Sequence, residues 1–216
     1  MKSGGTLLVL LNLVIFSVFS GLSMAGEGEK TDFNAQQEKL ALEWRKERDE
    51  FFKSHQRSPL TPKEKKVFKG LKYYAFDPNY AFSGEIKRTI LHINNPDYYA
   101  TFLTNKGTNK RYIRYGKFHF QLNGKEYVLE IYKSILSDIL FIPFKDRTNG
   151  KETYEGGRYI DAEILPGYKM VLDFNMAYHP SCAYNEKFIC ALPPRENICR
   201  SPSKNFSRRR REARRR

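Results

Sequence analysis

Gly116-Lys-Phe-His-Phe-Gln-Leu-Asn-Gly-Lys-Glu-Tyr-Val-Leu-Glu-Ile-Tyr132 decides the fold class. At its centre Asn123-Gly124 supplies the two residues that tolerate positive φ in a type I′ turn, and the flanking residues alternate apolar and polar with period two. A two-residue hairpin follows, and its register can be written down. Leu122 faces Lys125, Phe120 faces Tyr127 and Phe118 faces Leu129, so one face gathers bulky apolar side chains. The other face pairs Gln121 with Glu126, His119 with Val128 and Lys117 with Glu130, the last an opposite-charge pair. One face is to be buried and the other wet.

Outward from this hairpin, runs rich in Tyr, Phe, Ile and Val predict further strands at Leu71–Phe76, Glu85–Ile93, Ala100–Leu103, Arg111–Tyr115, Ile139–Pro143 and Lys169–Asn175. The N-terminal side reads differently. Ala35–His55 contains no Pro or Gly, and Leu40, Trp44, Arg48, Phe51 and Phe52 recur at spacings of three and four, which predicts an amphipathic helix. Thr61-Pro62-Lys63-Glu64 has a Thr N-cap, Pro at the first helical position and Glu three residues after the cap, which marks a short helix ending at Gly70. The expected class is α+β: a mainly antiparallel sheet, barrel-like in its closed form, behind N-terminal amphipathic helices.

The 216 residues suit one domain, and an aromatic content of 14% is too high for a disordered chain. The net charge of +14 is unevenly placed: Arg200–Arg216 carries +8 and residues 26–199 only +5. That tail predicts a solvated, disordered end at 198–216 with weak polyanion or anionic-lipid contact, and no specific nucleic-acid recognition, because no aromatic follows Phe206. At the other end, Lys2, the apolar run Leu7–Phe19 and Ser23-Met24-Ala25 read as a cleaved signal peptide over 1–25, hence a periplasmic or extracellular protein. An uncleaved membrane anchor is the alternative, although the run is shorter than the ~20 residues needed to span. Polar residues 26–34 read as a flexible linker, leaving 35–197 as the single domain.

Cys182, Cys190 and Cys199 suggest, in an exported chain, one disulfide with Cys182–Cys190 as the preferred pair; three free buried thiols are the alternative. No Cys-x-x-Cys spacing supports zinc, and no motif calls for a cofactor. A Cys182–His179 nucleophile is disfavoured by Pro180, and His55, His92 and His119 lack partners at useful spacing.

The long stretch from Leu140-Phe-Ile-Pro-Phe-Lys-Asp146 through Tyr154-Glu-Gly-Gly-Arg-Tyr-Ile-Asp161, then Leu172-Asp-Phe-Asn175, Tyr178-His-Pro-Ser-Cys-Ala-Tyr184 and Pro193-Pro-Arg-Glu-Asn197, closely resembles the prokaryotic family catalogued as domain of unknown function 1684. Trp44-Arg45, Glu47-Arg48, Ser58-Pro59-Leu60, Phe68-Lys69-Gly70-Leu71 and Tyr115-Gly116-Lys117-Phe118 extend the resemblance to about residues 40–197. The chain departs from the family pattern at His179, where Asn is usual, and beyond Asn197, where the last strand is expected to be altered. The resemblance implies a domain and no activity.

Within this stretch two loop regions concentrate polar chemistry. Asp146 and Glu152 are candidate catalytic residues of a hydrolase-like enzyme, and Arg158, Tyr159, Asp161, Asp173, Asn175, Tyr178 and Tyr184 are candidate ligand contacts, with Arg158 able to clamp a carboxylate or phosphate. The competing reading needs no ligand: Asp146-x-Thr-Asn-Gly is a hydrogen-bonded turn, Gly156-Gly157 is another, Arg158 pairs internally with Asp161 or Asp173, and Asp173, Asn175, Tyr178 and Tyr184 cap a loop. The best expectation is a module binding a small ligand or an envelope protein, with an enzyme or a purely structural envelope module as the alternatives.

Overall fold

The computed structural model describes residues 21–199, with side chains from residue 28. The apolar run of the signal reading and the Arg-rich tail beyond Cys199 lie outside the described residues. Among the described residues seven strands follow two α-helices: α1 (Gly21–Ser54), α2 (Pro62–Val67), β1 (Ala81–Arg88), β2 (Tyr99–Leu103), β3 (Asn109–Leu122), β4 (Lys125–Lys133), β5 (Leu140–Phe144), β6 (Arg158–Ala162) and β7 (Lys169–Asp173). They form one antiparallel sheet in the order β6-β5-β4-β3-β1-β7, with β2 beside the outer end of β3. Tyr159 and Tyr178 exchange two backbone hydrogen bonds of 2.9 Å across the remaining gap, which makes the sheet a nearly closed barrel.

The hairpin β3–β4 has the register read from its alternation, from Leu122↔Lys125 to Lys117↔Glu130, around Asn123 (φ 53°) and Gly124 (φ 72°). Lys117 and Glu130 pair at 3.0 Å. Phe118, Phe120, Leu122, Leu129 and Ile131 point into the barrel with Ile86, Ile142, Ile160, Met170 and Leu172. A bulge between Arg114 and Gly116 then changes the parity of β3: Gly116 faces Ile131, but Arg114 faces Tyr132. Only glycine fits there, because a Cβ on Gly116 would stand 2.6 Å from the Lys87 carbonyl. The shift sends Tyr112 to the outer face, where it joins a second cluster of Ala100, Phe102, Tyr132, Ala191 and Phe141.

Asn197 closes a seam. β4 and β5 pair only at Tyr132↔Phe141 and Lys133↔Leu140 before diverging. In the gap the fully buried Asn197 amide accepts from the Glu130 N–H (2.7 Å) and donates to the carbonyls of Glu130 and Pro143 (2.8 Å each). It replaces a backbone partner with a side chain. The chain then runs beside Lys145, which accepts from the Cys199 N–H at 2.8 Å, so this segment still augments the sheet as far as it is described.

Five sequence expectations are corrected. Residues 26–34 are helical rather than a linker, since α1 starts at Gly21; no Pro interrupts it, and Phe33 and Gln37 extend its inward stripe. That stripe runs Gln37, Ala41, Trp44, Arg48, Phe52, while Leu40 is exposed. Leu71–Phe76 is extended but unpaired with any strand: it lies along α1, where Asp49 accepts from the Leu71 N–H (2.9 Å) and the Tyr73 hydroxyl (3.0 Å). The strand expected at Glu85–Ile93 lies earlier, at Ala81–Arg88. β6 was hidden by Gly156-Gly157, which reads as turn. The capping box at Thr61 forms as its residues require, with Glu64 accepting from the Thr61 N–H at 2.8 Å.

Candidate functional site

The loop after β5 takes most of its hydrogen bonds from within, although the buried Arg158 Nε has no partner among the described residues. Asp146 Oδ1 accepts from the Thr148 N–H (2.8 Å) and hydroxyl, while Oδ2 accepts from Arg158 Nη2. Asn149 Oδ1 accepts from the Asp146 N–H at 2.6 Å, its Nδ2 donates to the Tyr154 carbonyl at 2.7 Å, and the Thr148 and Thr153 hydroxyls meet at 2.8 Å. Side-chain exposures of 7% for Arg158 and 1% for Asp146 make this a buried ion pair, backed by the Phe144 ring under the guanidinium at 5.0 Å. Arg158 therefore faces the barrel side of β6 and pairs with Asp146, not with Asp161 or Asp173. Glu152 sits apart at the rim, accepting from the Tyr74 hydroxyl at 3.3 Å.

Asp173 and Asn175 form a second internal network. Asp173 Oδ1 accepts from both the backbone and side-chain nitrogens of Asn175 at 2.8 Å, and Asn175 exchanges hydrogen bonds with the Asp77 backbone at 2.9 and 3.0 Å. Arg45 donates to the Asn175 carbonyl at 3.2 Å. Burial raises the Asp173 carboxyl pKa, while the Asn175 hydrogen bonds and Arg45 oppose the shift. Asp173 Oδ2 and Arg45 Nε are buried without partners among the described residues.

The other face of β6 is different. Alternation puts Tyr159 and Asp161 outside the barrel, where ring centroids step from Phe102 to Tyr112 (4.9 Å), Phe141 (5.0 Å), Tyr159 (4.8 Å), Tyr178 (5.7 Å) and Trp44 (6.2 Å). At the end of this ladder α1 delivers Arg48, its guanidinium 4.1 Å from the centre of the Tyr178 ring and 5.4 Å from those of Trp44 and Phe52. Tyr178 donates to Asp161 Oδ2 at 2.7 Å. One tyrosine thus carries a cation on its ring face and a carboxylate on its hydroxyl. Protein surrounds the solvent-accessible Asp161 enough that burial raises its pKa, against the Tyr178 hydrogen bond and Arg48. Burial also pushes the Tyr178 hydroxyl well up, and Asp161 adds to it.

Arg48 has one described hydrogen bond, to the His179 carbonyl at 3.2 Å, and no carboxylate within ion-pair distance among the described residues. His179 accepts from the Tyr154 N–H at 3.3 Å through Nε2; burial, then Arg158 and Arg48, bring its pKa down to about 4. Tyr184 packs edge-on against Phe52 at 4.8 Å. Sequence reasoning named Tyr159, Asp161, Tyr178 and Tyr184 here but missed Arg48 as a contact. Its signal was present: a cation on the buried stripe of an amphipathic helix.

The three cysteines are free thiols in the structure, with the Cys182 N–H donating to Cys190 Sγ at 3.3 Å. Burial, reinforced by Cys182, pushes Cys190 up to about 12, and burial does the same to Cys199. Among the described residues no three His, Cys, Asp or Glu side chains converge as metal ligands, and no helix is long and apolar enough to cross a membrane.

Residues 66–202 match the family described as protein of unknown function (DUF1684). No curated protein matches the chain. Among solved structures, the solution NMR structure of the uncharacterized protein from gene locus rrnAC0354 of Haloarcula marismortui is similar, with 31% identity and a TM-score of 0.56 over 82% of this chain and 92% of that one. The family match starts after α1, whereas a likeness covering 82% of this chain must reach further. With the family match over most of its length and a similar solved fold in agreement, the chain belongs to the DUF1684 family of proteins of unknown function.

Proposed function

We propose that this protein is an exported binding module that holds a small anionic ligand on the face formed by Arg48, Trp44, Tyr178 and Asp161. The observation that carries the reading is Arg48: a guanidinium drawn into an aromatic environment, with a backbone carbonyl as its described acceptor and no carboxylate in range among the described residues. A carboxylate or phosphate is the chemistry that would satisfy its fork of donors. Asp161, reached by solvent next to Tyr178, adds an acceptor for a hydroxyl or ammonium group of the same ligand. Trp44 and Tyr178, the partly exposed end of the ring ladder, supply an apolar flank. Asp146, with both oxygens engaged, is poorly placed to serve as a hydrolase base. Export rests on the charged, apolar and small-residue pattern of residues 1–25.

Trp44 is the only tryptophan in the chain and lies 5.4 Å from the Arg48 guanidinium, so its fluorescence reports directly on this face. Titration with a panel of small carboxylates, inorganic phosphate and sugar phosphates should give a saturable change for at least one class. Arg48→Met should weaken that binding roughly 10- to 100-fold, the worth of a charge-assisted hydrogen-bonded contact, with Arg48→Lys intermediate. A response unaltered in Arg48→Met, or none across the panel, would favour the structural-module reading instead.

A further inference from the structure

We infer that Cys182 and Cys190 are a redox-modifiable pair that closes into an intramolecular disulfide. Both residues are already held. Cys190 is fixed by Asn105, whose side chain accepts from the Cys190 N–H at 2.8 Å and whose N–H donates to the Cys190 carbonyl at 3.1 Å. Asn105 also donates to the Phe188 carbonyl at 3.1 Å, and Lys110 to that of Ile189 at 2.8 Å, so the approach to Cys190 is pinned to the β2–β3 turn and the start of β3. On the other side, Cys182 stands in a single turn closed by Ala183 N–H to Pro180 (2.9 Å) and Tyr184 N–H to Ser181 (3.1 Å). The 3.3 Å contact from the Cys182 N–H to Cys190 Sγ brings one sulfur onto the backbone of the other residue. The bond would consume the Cys182 S–H, which lies 3.9 Å from the Tyr154 hydroxyl.

The order of events follows from exposure. Cys190 is 8% exposed, whereas Cys182 is only partly buried, so an external disulfide such as oxidised glutathione meets Cys182 first. The Cys182 thiolate attacks one sulfur of the oxidant, forming a mixed disulfide and releasing one thiol. Cys190, after losing its proton to solvent, attacks Cys182 Sγ and releases the second. Two protein thiols and one small disulfide become one protein disulfide and two small thiols, so electrons and protons balance. Cys199, buried in the barrel cluster, takes no part.

The full chain, reduced and then equilibrated with oxidised glutathione, is the test, with free thiols counted after denaturation and peptides mapped without reduction. Wild type should fall from three thiols to one with the loss of two hydrogens, and the map should join Cys182 to Cys190. Cys199→Ser should fall from two to none, and Cys190→Ser should stop as a glutathione adduct on Cys182. Oxidised Cys199→Ser should unfold about 5 °C or more above its reduced form, the effect of closing a short loop. Retention of all thiols, a link to Cys199, cross-linked dimers or a lowered midpoint would each overturn the inference. None of these outcomes depends on ligand binding at Arg48.

Discussion

Replacing Arg158 by Met separates a ligand clamp from an internal strut. The guanidinium and the Asp146 carboxylate are both withdrawn from water, with side-chain exposures of 7% and 1%. Met preserves the aliphatic stem over the Phe144 ring but leaves Asp146 charged and without its cation. Removing one member of a buried pair typically costs about 3–5 kcal/mol. Thr148 continues to donate twice to Asp146 Oδ1, which places the expected loss near the lower bound, about 3 kcal/mol. Asp146→Asn is isosteric and strands the opposite charge, so it should cost a similar amount. In the double variant no buried charge is left over, and the two losses should fall short of additive by about 2 kcal/mol or more. Urea unfolding followed by Trp44 fluorescence measures all four proteins, with equal m-values confirming a common transition. If Arg158→Met loses less than about 1 kcal/mol, or the two losses simply add, the pair is not the strut described here. Folded Arg158→Met should also keep wild-type anion binding, because its guanidinium lies on the barrel side of β6 and the proposed face on the other.

Two more outcomes follow from the same geometry. His179 has a folded-state pKa depressed to about 4 by burial and the neighbouring arginines, so between roughly pH 6.5 and 4 the unfolded chain binds a proton that the folded one refuses. Stability should therefore fall as the pH drops through that window, by at most about 3 kcal/mol, and His179→Asn should flatten this component; the raised carboxyls of Asp161 and Asp173 act with the opposite sign and remain in both proteins. An equal slope in the variant would show that His179 is not the titrating group. Asn197→Ala should cost about 3 kcal/mol or more in urea unfolding, since it strands the Glu130 N–H and two carbonyls, and Asn197→Asp should do no better because its carboxylate faces those carbonyls; a loss below about 1 kcal/mol in either would refute the seam-closing role.

Local chemistry was legible wherever a few adjacent residues determine the geometry. Asn123-Gly124 fixes a turn and therefore a register, and Thr61 with Glu64 fixes a helix start, so both could be written down before any long-range contact was known. What escaped depends on partners far along the chain. Leu71–Phe76 has a strand-like composition, but Asp49 on α1 takes its Leu71 N–H in place of a neighbouring strand. Arg158 and Asp161 are three residues apart in one strand, and alternation alone sends them to opposite faces, yet Gly156-Gly157 concealed that there was a strand to alternate.

The consequence reaches the candidate site. The two polar loop regions of 146–184 read as sharing one ligand, but β6 is a wall that divides their residues: Asp146 and Arg158 pair on the barrel side, and Tyr159, Asp161 and Tyr178 remain outside. Tyr178 is also where the sheet closes, through its backbone pairing with Tyr159, so the proposed ligand contacts rest on the last bridge of the barrel. α1 crosses that closure and presents Arg48 to it. A charged residue on the inward stripe of a helix needs a reason, and here the backbone carbonyl of His179 supplies only one acceptor for a fork of donors. The unassigned capacity of Arg48, set beside an accessible carboxylate on rigid aromatic support, is what makes this outer face of the closure a better place to seek function than the polar loop that the sequence advertises.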